Sequence, residues 1–312
     1  MGTELTVTQS TAIQERGSGV DVSILAGMLS PSSLTRYRQY FGSYVDFAGS
    51  MDRATMPETL AAWRQYLVEE TEYKPSYINT QIYAVKRVMQ EAGEFGYISR
   101  EDALAFAAVK GVKPKALKNR GKPGKRGRTR ITPDAMRALV DAPDVSTLVG
   151  LRDRAMLLTL ATAGLRVGEM CHLKRGDIEA RDGGYVVLVM GKNATEPEEA
   201  PIAIEAVDAI DAWLESRTVE SEFVFTSFVG RSGIERDRPI SSPGAWMVVQ
   251  KYAGIVGLSN VKPHDFRRFV GTQLAASDIR SAQKALRHKD IRTTATHYVL
   301  DDLKVGLTDG LF

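Results

Sequence analysis

Apolar residues recur at spacings of three and four along SSLTRYRQYFGSYVDFAG, PETLAAWRQYLVEE, SYINTQIYAVKRVMQEAG and the shorter REDALAFAAVK. That period belongs to helices that bury one face. Pro57 and Ser76 read as helix starts, Gly49 and Gly93 as stops. These segments predict a small all-helical domain over residues 23–110. The pattern resumes at Thr132-Pro133-Asp134, an N-cap, a first-turn proline and an acidic first turn. MRALVDA follows, then the strongly apolar LRDRAMLLTLATAG, a helix that ends at Gly164. The period then drops to two. DIEA, the turn Asp182-Gly183-Gly184 and YVVLVM read as an antiparallel hairpin, and EEAPIAI adds a third strand after the loop GKNATEP. AIEAVDAIDAWLES returns to helical spacing with Val207, Ile210 and Leu214 on one face, and further helices run from residue 242 to the end. The predicted fold class is mainly α with a small antiparallel β-sheet, in two domains.

Two stretches lack any period. Residues 1–22 are rich in Ser, Thr and Gly and predict a flexible N-terminal tail. Residues 111–130 are broken by Gly and Pro and predict an interdomain linker. Charge makes that linker more than a spacer. From Lys110 to Arg130 there are ten basic residues and no acidic one, so the formal net charge of +3 leaves −7 for the rest of the chain. A solvated, self-repelling linker is one reading. A strap along a phosphate backbone is the reading favoured by so one-sided a run. It names Lys113, Lys115, Lys118, Arg120, Lys122, Lys125, Arg126, Arg128 and Arg130 as nucleic-acid contacts.

Length and composition add bounds. The 312 residues suffice for one or two packed domains, and 43% hydrophobic with 25% charged residues is ordinary for a globular chain. No apolar run approaches a membrane span, and the start lacks a secretory pattern, so a cytoplasmic location is expected. The single cysteine, Cys171, excludes an internal disulfide framework and reads as a buried structural thiol.

Four segments of the second domain put polar residues where the apolar pattern does not ask for them. In AGLRVGEMCHL, Arg166 follows a buried-looking helix, so it must be paired or face a cleft; Glu169, three residues on, is placed to orient it. Lys192 sits at the tip of the β-hairpin. In KPHDFRRFVGTQLA, His264 and Arg267 are one helical turn apart. In LRHKDIRTTATHYVLDD, Tyr298 follows His288 by ten residues. Taken singly, each has a bland reading: a structural ion pair, an exposed turn lysine, satisfied histidines, a packing tyrosine. Taken together they form a chemical set. Two guanidinium forks match phosphate oxygens. A lysine and two histidines can move protons near neutral pH, and a tyrosine can act as a covalent nucleophile. No Cys/His spacing or carboxylate cluster suggests a metal, so arginines would neutralise a phosphoryl transition state.

The order of these segments resembles the tyrosine recombinase (phage integrase, Xer, Cre) family over nearly the whole chain. AGLRVGE is similar to its first arginine box, GKN to its hairpin lysine, HDFRR to its His-x-x-Arg box, and LRHKDIRTTATHY to its Leu-Gly-His box with the tyrosine. The resemblance implies a two-domain DNA clamp: a core-binding (SAM-like) helical domain at 23–110, a linker at 111–130, and a catalytic domain at 131–312. It implies Arg166, Lys192, His264, Arg267, His288 and Tyr298 as catalytic, with Glu169 in support. Tyr298 would attack a scissile phosphate, leaving a 3′-phosphotyrosine and a free 5′-hydroxyl protonated by Lys192, with no cofactor and no metal. Arg36, Thr80 and Arg87 of the helical domain are expected to contact DNA as well. The partners implied are double-stranded DNA with inverted-repeat core sites, a homo-tetramer on two sites that passes through a Holliday junction, and accessory DNA-bending or directionality proteins. No membrane is implied, and association with the nucleoid is. The apolar end segment VLDDLKVGLTDGLF is expected to dock on a neighbouring protomer.

This sequence departs from the family's pattern in places. Arg287 stands where glycine is usual before the histidine, the step from His288 to Tyr298 is one residue longer than the commonest, and Glu196, Glu198 and Glu199 crowd the expected hairpin loop. Two rival functions remain open at this point: DNA relaxation in the manner of type IB topoisomerases, and a non-catalytic DNA-binding factor on the same scaffold.

Overall fold

The computed structural model describes residues 19–113, 131–191, 195–230 and 233–298; of Thr293, Thr296, His297 and Tyr298 it describes the backbone alone. The expected tail up to residue 18, Lys115, Lys118, Arg120, Lys122, Lys125, Arg126, Arg128, Arg130, Lys192 and the end segment from 299 therefore lie outside the described residues. The chain divides into two compact units, Met1–Arg126 and Gly127–Phe312.

The first unit is helical. A 3₁₀ turn, Val22–Leu25, is capped by the Asp21 carboxylate, which accepts the Ser23 N–H at 2.8 Å. Helix α1 (Pro31–Ala48) starts on the Ser30 cap and stops at Gly49, where φ is +79°, a conformation glycine takes without strain. α2 (Met51–Ala54), α3 (Pro57–Glu69), α4 (Pro75–Glu94) and α5 (Arg100–Ala108) complete it. Their apolar stripes meet around Tyr44, Trp63, Ile78, Val85, Met89 and Phe106. The Tyr44 hydroxyl donates to the Ala54 carbonyl at 2.8 Å, satisfying the core's buried phenol.

Three expected boundaries move. Val20 and Val22 are buried in this core, so the tail does not extend to residue 22; two alternating valines are too short a run to register as a period. Gly93 is not a stop. It lies inside α4, where an added Cβ would sit 2.5 Å from Cβ of Ala103, so it is the point of close approach between α4 and α5. At the far end, Asn79 of α4 accepts the Val112 N–H at 2.7 Å and donates to the Val112 carbonyl at 3.0 Å. Residues 111 and 112, expected in the linker, thus remain docked on the unit.

The second unit begins with α6 (Pro133–Asp141), capped by Thr132, and α7 (Leu148–Ala163), which is buried almost all round and ends at Gly164. The short α8 (Val167–Cys171) leads into an antiparallel sheet ordered β1 (Ile178–Arg181), β2 (Gly184–Met190), β3 (Pro197–Ile202). Arg181 pairs with Gly184 across the two-residue turn, as the alternation predicted. Helix α9 (Ile204–Ser216) covers α7, and Trp213 Nε1 donates to the Val224 carbonyl at 2.7 Å in the core. Helices α10 (Ser242–Ile255), α11 (Pro263–Ser277), α12 (Ile279–Ala285) and α13 (Ile291–Tyr298) follow.

Between α9 and α10 lies a second antiparallel pair, β4 (Thr226–Phe228) and β5 (Glu235–Pro239), which the sequence did not predict. Its strands are short and β5 reads ERDRP, with no alternation to detect. It is held instead by buried charge. The Glu235 carboxylate accepts the backbone N–H groups of Thr218 and Val219 and the hydroxyl of Thr226. Arg152 of α7 donates to the Thr226 carbonyl and pairs with Asp153, which also accepts the Tyr252 hydroxyl at 2.9 Å. Among the described residues, no helix is long and apolar enough to cross a membrane.

Candidate active site

Gly164 turns the chain out of α7 with φ at +57°, and a Cβ there would lie 3.0 Å from Cδ2 of Leu286 and 3.3 Å from Cγ1 of Val270. Both the left-handed backbone and the close packing ask for glycine. The turn delivers Arg166 to the N-cap position of α8. Glu169 reaches back to it twice: Oε2 accepts the Arg166 backbone N–H at 2.8 Å, and Oε1 accepts from Nη1 at 2.6 Å. The arginine side chain is 49% exposed while that of Glu169 is 10% exposed. Arg166 therefore faces outward into a groove that His172, Lys174, Leu188 and Met190 also line, with its carboxylate anchor behind it.

The second arginine goes the other way. Helix α11 starts with the Lys262 N–H donating to Asp265 at 2.9 Å, which places His264 in the exposed first turn. Arg267, one turn on, is 2% exposed. Its Nη1 donates to the Gly164 carbonyl at 2.6 Å and its Nη2 to the Leu286 carbonyl. One guanidinium thus ties the turn before Arg166 to the turn before His288. Three of the four segments, far apart in sequence, meet around it.

At the third corner, Arg287 adopts φ of +53°, the left-handed region, and is nonetheless buried. Its Nη2 pairs with Glu169 Oε2 at 2.6 Å, and its Nε lies 3.8 Å from the Glu198 carboxylate. Burial pushes its pKa down from the usual arginine range, and the Glu169 charge pulls the other way. His288 follows, with Nδ1 2.9 Å from Oγ1 of Thr294, a fully buried residue of α13. Tyr298 ends the same helix four residues further on; its side chain lies outside the described residues.

Other expected residues fall elsewhere or outside the described residues. Lys192 belongs to the connection between β2 and β3, in the undescribed part. Glu198 and Glu199 are strand residues of β3 rather than loop residues; Glu199 accepts from Arg181 at 3.0 Å. In the helical unit, Arg36 and Thr80 are exposed, with the Thr80 hydroxyl donating back to the Ser76 carbonyl, and Arg87 pairs with Glu91 at 2.7 Å. Lys113 is exposed. Sequence reasoning missed two members of the cluster. Arg287 registered only as an oddity, and its contact with Glu169 spans 118 residues of chain. Thr294 gave no signal at all.

The chain is similar to known proteins over most of its length. The sequence pattern described as "Phage integrase family" matches residues 129–303. Tyrosine recombinase XerD of Vibrio vulnificus (strain YJ016) is 31% identical over 257 residues, covering 78% of this chain and 77% of that protein. Tyrosine recombinase XerC of Myxococcus xanthus is 31% identical over 282 residues, 84% of this chain and 86% of its own. Among solved structures, a lambda integrase dimer bound to a COC′ core site aligns with a TM-score of 0.64 over 91% of this chain and 94% of that one. At 19% identity that likeness speaks to the fold.

Proposed function

This chain belongs to the phage integrase family as a tyrosine-type site-specific recombinase, and we propose that its strand exchange runs on Arg166, Lys192, His264, Arg267, His288 and Tyr298. The observation that carries this assignment is the guanidinium of Arg267, which bonds both the turn preceding Arg166 and the turn preceding His288. Arg166, exposed in the groove, neutralises the non-bridging oxygens of the scissile phosphate, assisted by His264 and His288, while the buried Arg267 adds its charge from beneath and holds the two turns in place. The phenolic oxygen of Tyr298 attacks phosphorus as its proton passes to one of those histidines. The bond to the 5′-oxygen breaks, and Lys192 protonates that leaving oxygen. The product is a 3′-phosphotyrosine and a free 5′-hydroxyl; a 5′-hydroxyl from the partner site reverses the step, so the bond energy is kept.

The partner is double-stranded DNA carrying inverted-repeat core sites, in keeping with the core site to which the lambda integrase dimer is bound. The helical unit, from Val20 to Val112, is the core-binding domain, the cationic segment that follows up to residue 130 is the linker, and 131–312 is the catalytic domain. Arg36, Thr80, Arg87 and the linker cations contact the backbone. The working assembly is a homo-tetramer on two sites passing through a Holliday junction, with the end segment docked on a neighbouring protomer, in the nucleoid of the cytoplasm. Strand exchange rather than relaxation is favoured by relatives that are recombinases.

The test uses a duplex enriched by the full chain from a random-sequence pool. Wild-type protein is expected to become covalently attached to it, and Tyr298→Phe to bind equally well without attachment. Attachment surviving in Tyr298→Phe would remove the nucleophile assignment.

A further inference from the structure

Arg287 sits where both backbone and burial oppose it. Its φ of +53° is a conformation that glycine adopts freely and side chains rarely do. Its side chain is 2% exposed, and its Nε and Nη1 are buried with no hydrogen-bond partner among the described residues. A charge in such a place is retained only through a strong partner. That partner is Glu169, at 2.6 Å. Glu169 meanwhile accepts from the Nη1 and from the backbone N–H of Arg166.

We propose that Arg287 is a positioning residue that acts on Arg166 through Glu169, and so sets how the scissile phosphate is held. The inference rests on the reading of Arg166 as a phosphate-binding arginine. Three consequences follow from the geometry. First, Arg166 engages both carboxylate oxygens and Arg287 adds a second bond to Oε2. Glu169 is thus held from a distant segment as well as from its own helix, and the half-exposed Arg166 side chain loses part of the freedom its length would otherwise allow. Second, Glu169 with Arg166 alone is a neutral pair. The Arg287 guanidinium, shared between Glu169 at 2.6 Å and the more distant Glu198 at 3.8 Å, draws on the carboxylate that would otherwise offset the Arg166 charge facing a phosphate. Third, Arg287 is the residue before His288, so the Glu169 contact couples the start of α8 to the turn carrying that histidine. Two groups on different segments then approach one phosphate in fixed register.

The distinguishing variant is Arg287→Gly, because glycine suits the backbone and removes only the side chain. The readouts are affinity for the enriched duplex, the thermal melt, and single-turnover cleavage of that duplex nicked beside the mapped attachment point. Arg287→Gly is expected to bind within about twofold of wild type and to cleave about a hundredfold more slowly. In a Glu169→Gln background the same change is expected to add less than about twofold, since the coupling is already lost. Cleavage by Arg287→Gly at the wild-type rate, or equal losses in both backgrounds, overturns the proposal. If the glycine variant does not melt cooperatively, Arg287→Lys and Arg287→Met carry the test. Lysine is expected to cleave at least about tenfold faster than methionine, and equal rates overturn the proposal. Wild type and Tyr298→Phe run alongside. No covalent adduct from wild type overturns the recombinase residue assignment and this proposal together, whereas a wild-type adduct with an unimpaired Arg287→Gly overturns this proposal alone.

Discussion

Thr294 is fully buried on α13, and its Oγ1 lies 2.9 Å from Nδ1 of His288. An imidazole bonded at one nitrogen has its ring plane fixed, which aims the other nitrogen. The same threonine stands one helical turn before Tyr298, so one hydroxyl relates the histidine to the helix that carries the proposed nucleophile. Thr294→Val keeps the shape and removes the bond. It is expected to leave DNA affinity unchanged and slow single-turnover cleavage about tenfold, the equivalent of roughly 1.4 kcal/mol; an unchanged rate would show the contact to be packing. At this scale the sequence was legible for residues whose chemistry is unusual. Arg166, Glu169, Arg267 and His288 stood out because charged and titratable groups interrupted apolar runs. Thr294 did not, because a threonine in a helix is unremarkable until something is seen to touch it.

Among elements, helices and the first sheet followed from period alone, since one buried face imposes three-and-four spacing on a helix and alternation on a strand. The misreadings arose where packing overrode local preference. Gly93 looks like a terminator, yet α4 continues to Glu94, and glycine is required at 93 because α5 approaches so closely that a Cβ would meet Cβ of Ala103 at 2.5 Å. Gly93→Ala should therefore destabilise the helical unit by about 1 kcal/mol, overpacking of about 1–3 kcal/mol exceeding the gain in helix propensity. A shift of the urea midpoint measures it, and a more stable variant would contradict the close approach. The pair β4–β5 was invisible for the opposite reason. Its strands are short and charged, and what holds them is the buried carboxylate of Glu235 and the reach of Arg152 from α7.

For the whole molecule, the concentration of ten cations between Lys110 and Arg130 predicts a measurable electrostatic term in DNA binding. Each phosphate neutralised contributes about 0.9 to the slope of log affinity against log salt. Replacing Lys115, Lys118, Lys122 and Lys125 by glutamine should make that slope shallower by about 3 to 4 and weaken binding across sequences alike. An unchanged slope would return the segment to the status of a solvated linker. The amino-acid sequence by itself determined the mainly helical class, the cationic run and the order of the boxes, because hydrophobic period, charge and residue type are local properties that need no contact to be read. Only the tertiary structure decided that Arg267 would be buried beneath the boxes and that Arg287 would share a carboxylate with Arg166. It also decided that residues up to Val112 stay with the helical unit. Those outcomes depend on which segments pack together, and contacts across a hundred residues of chain leave no periodic trace.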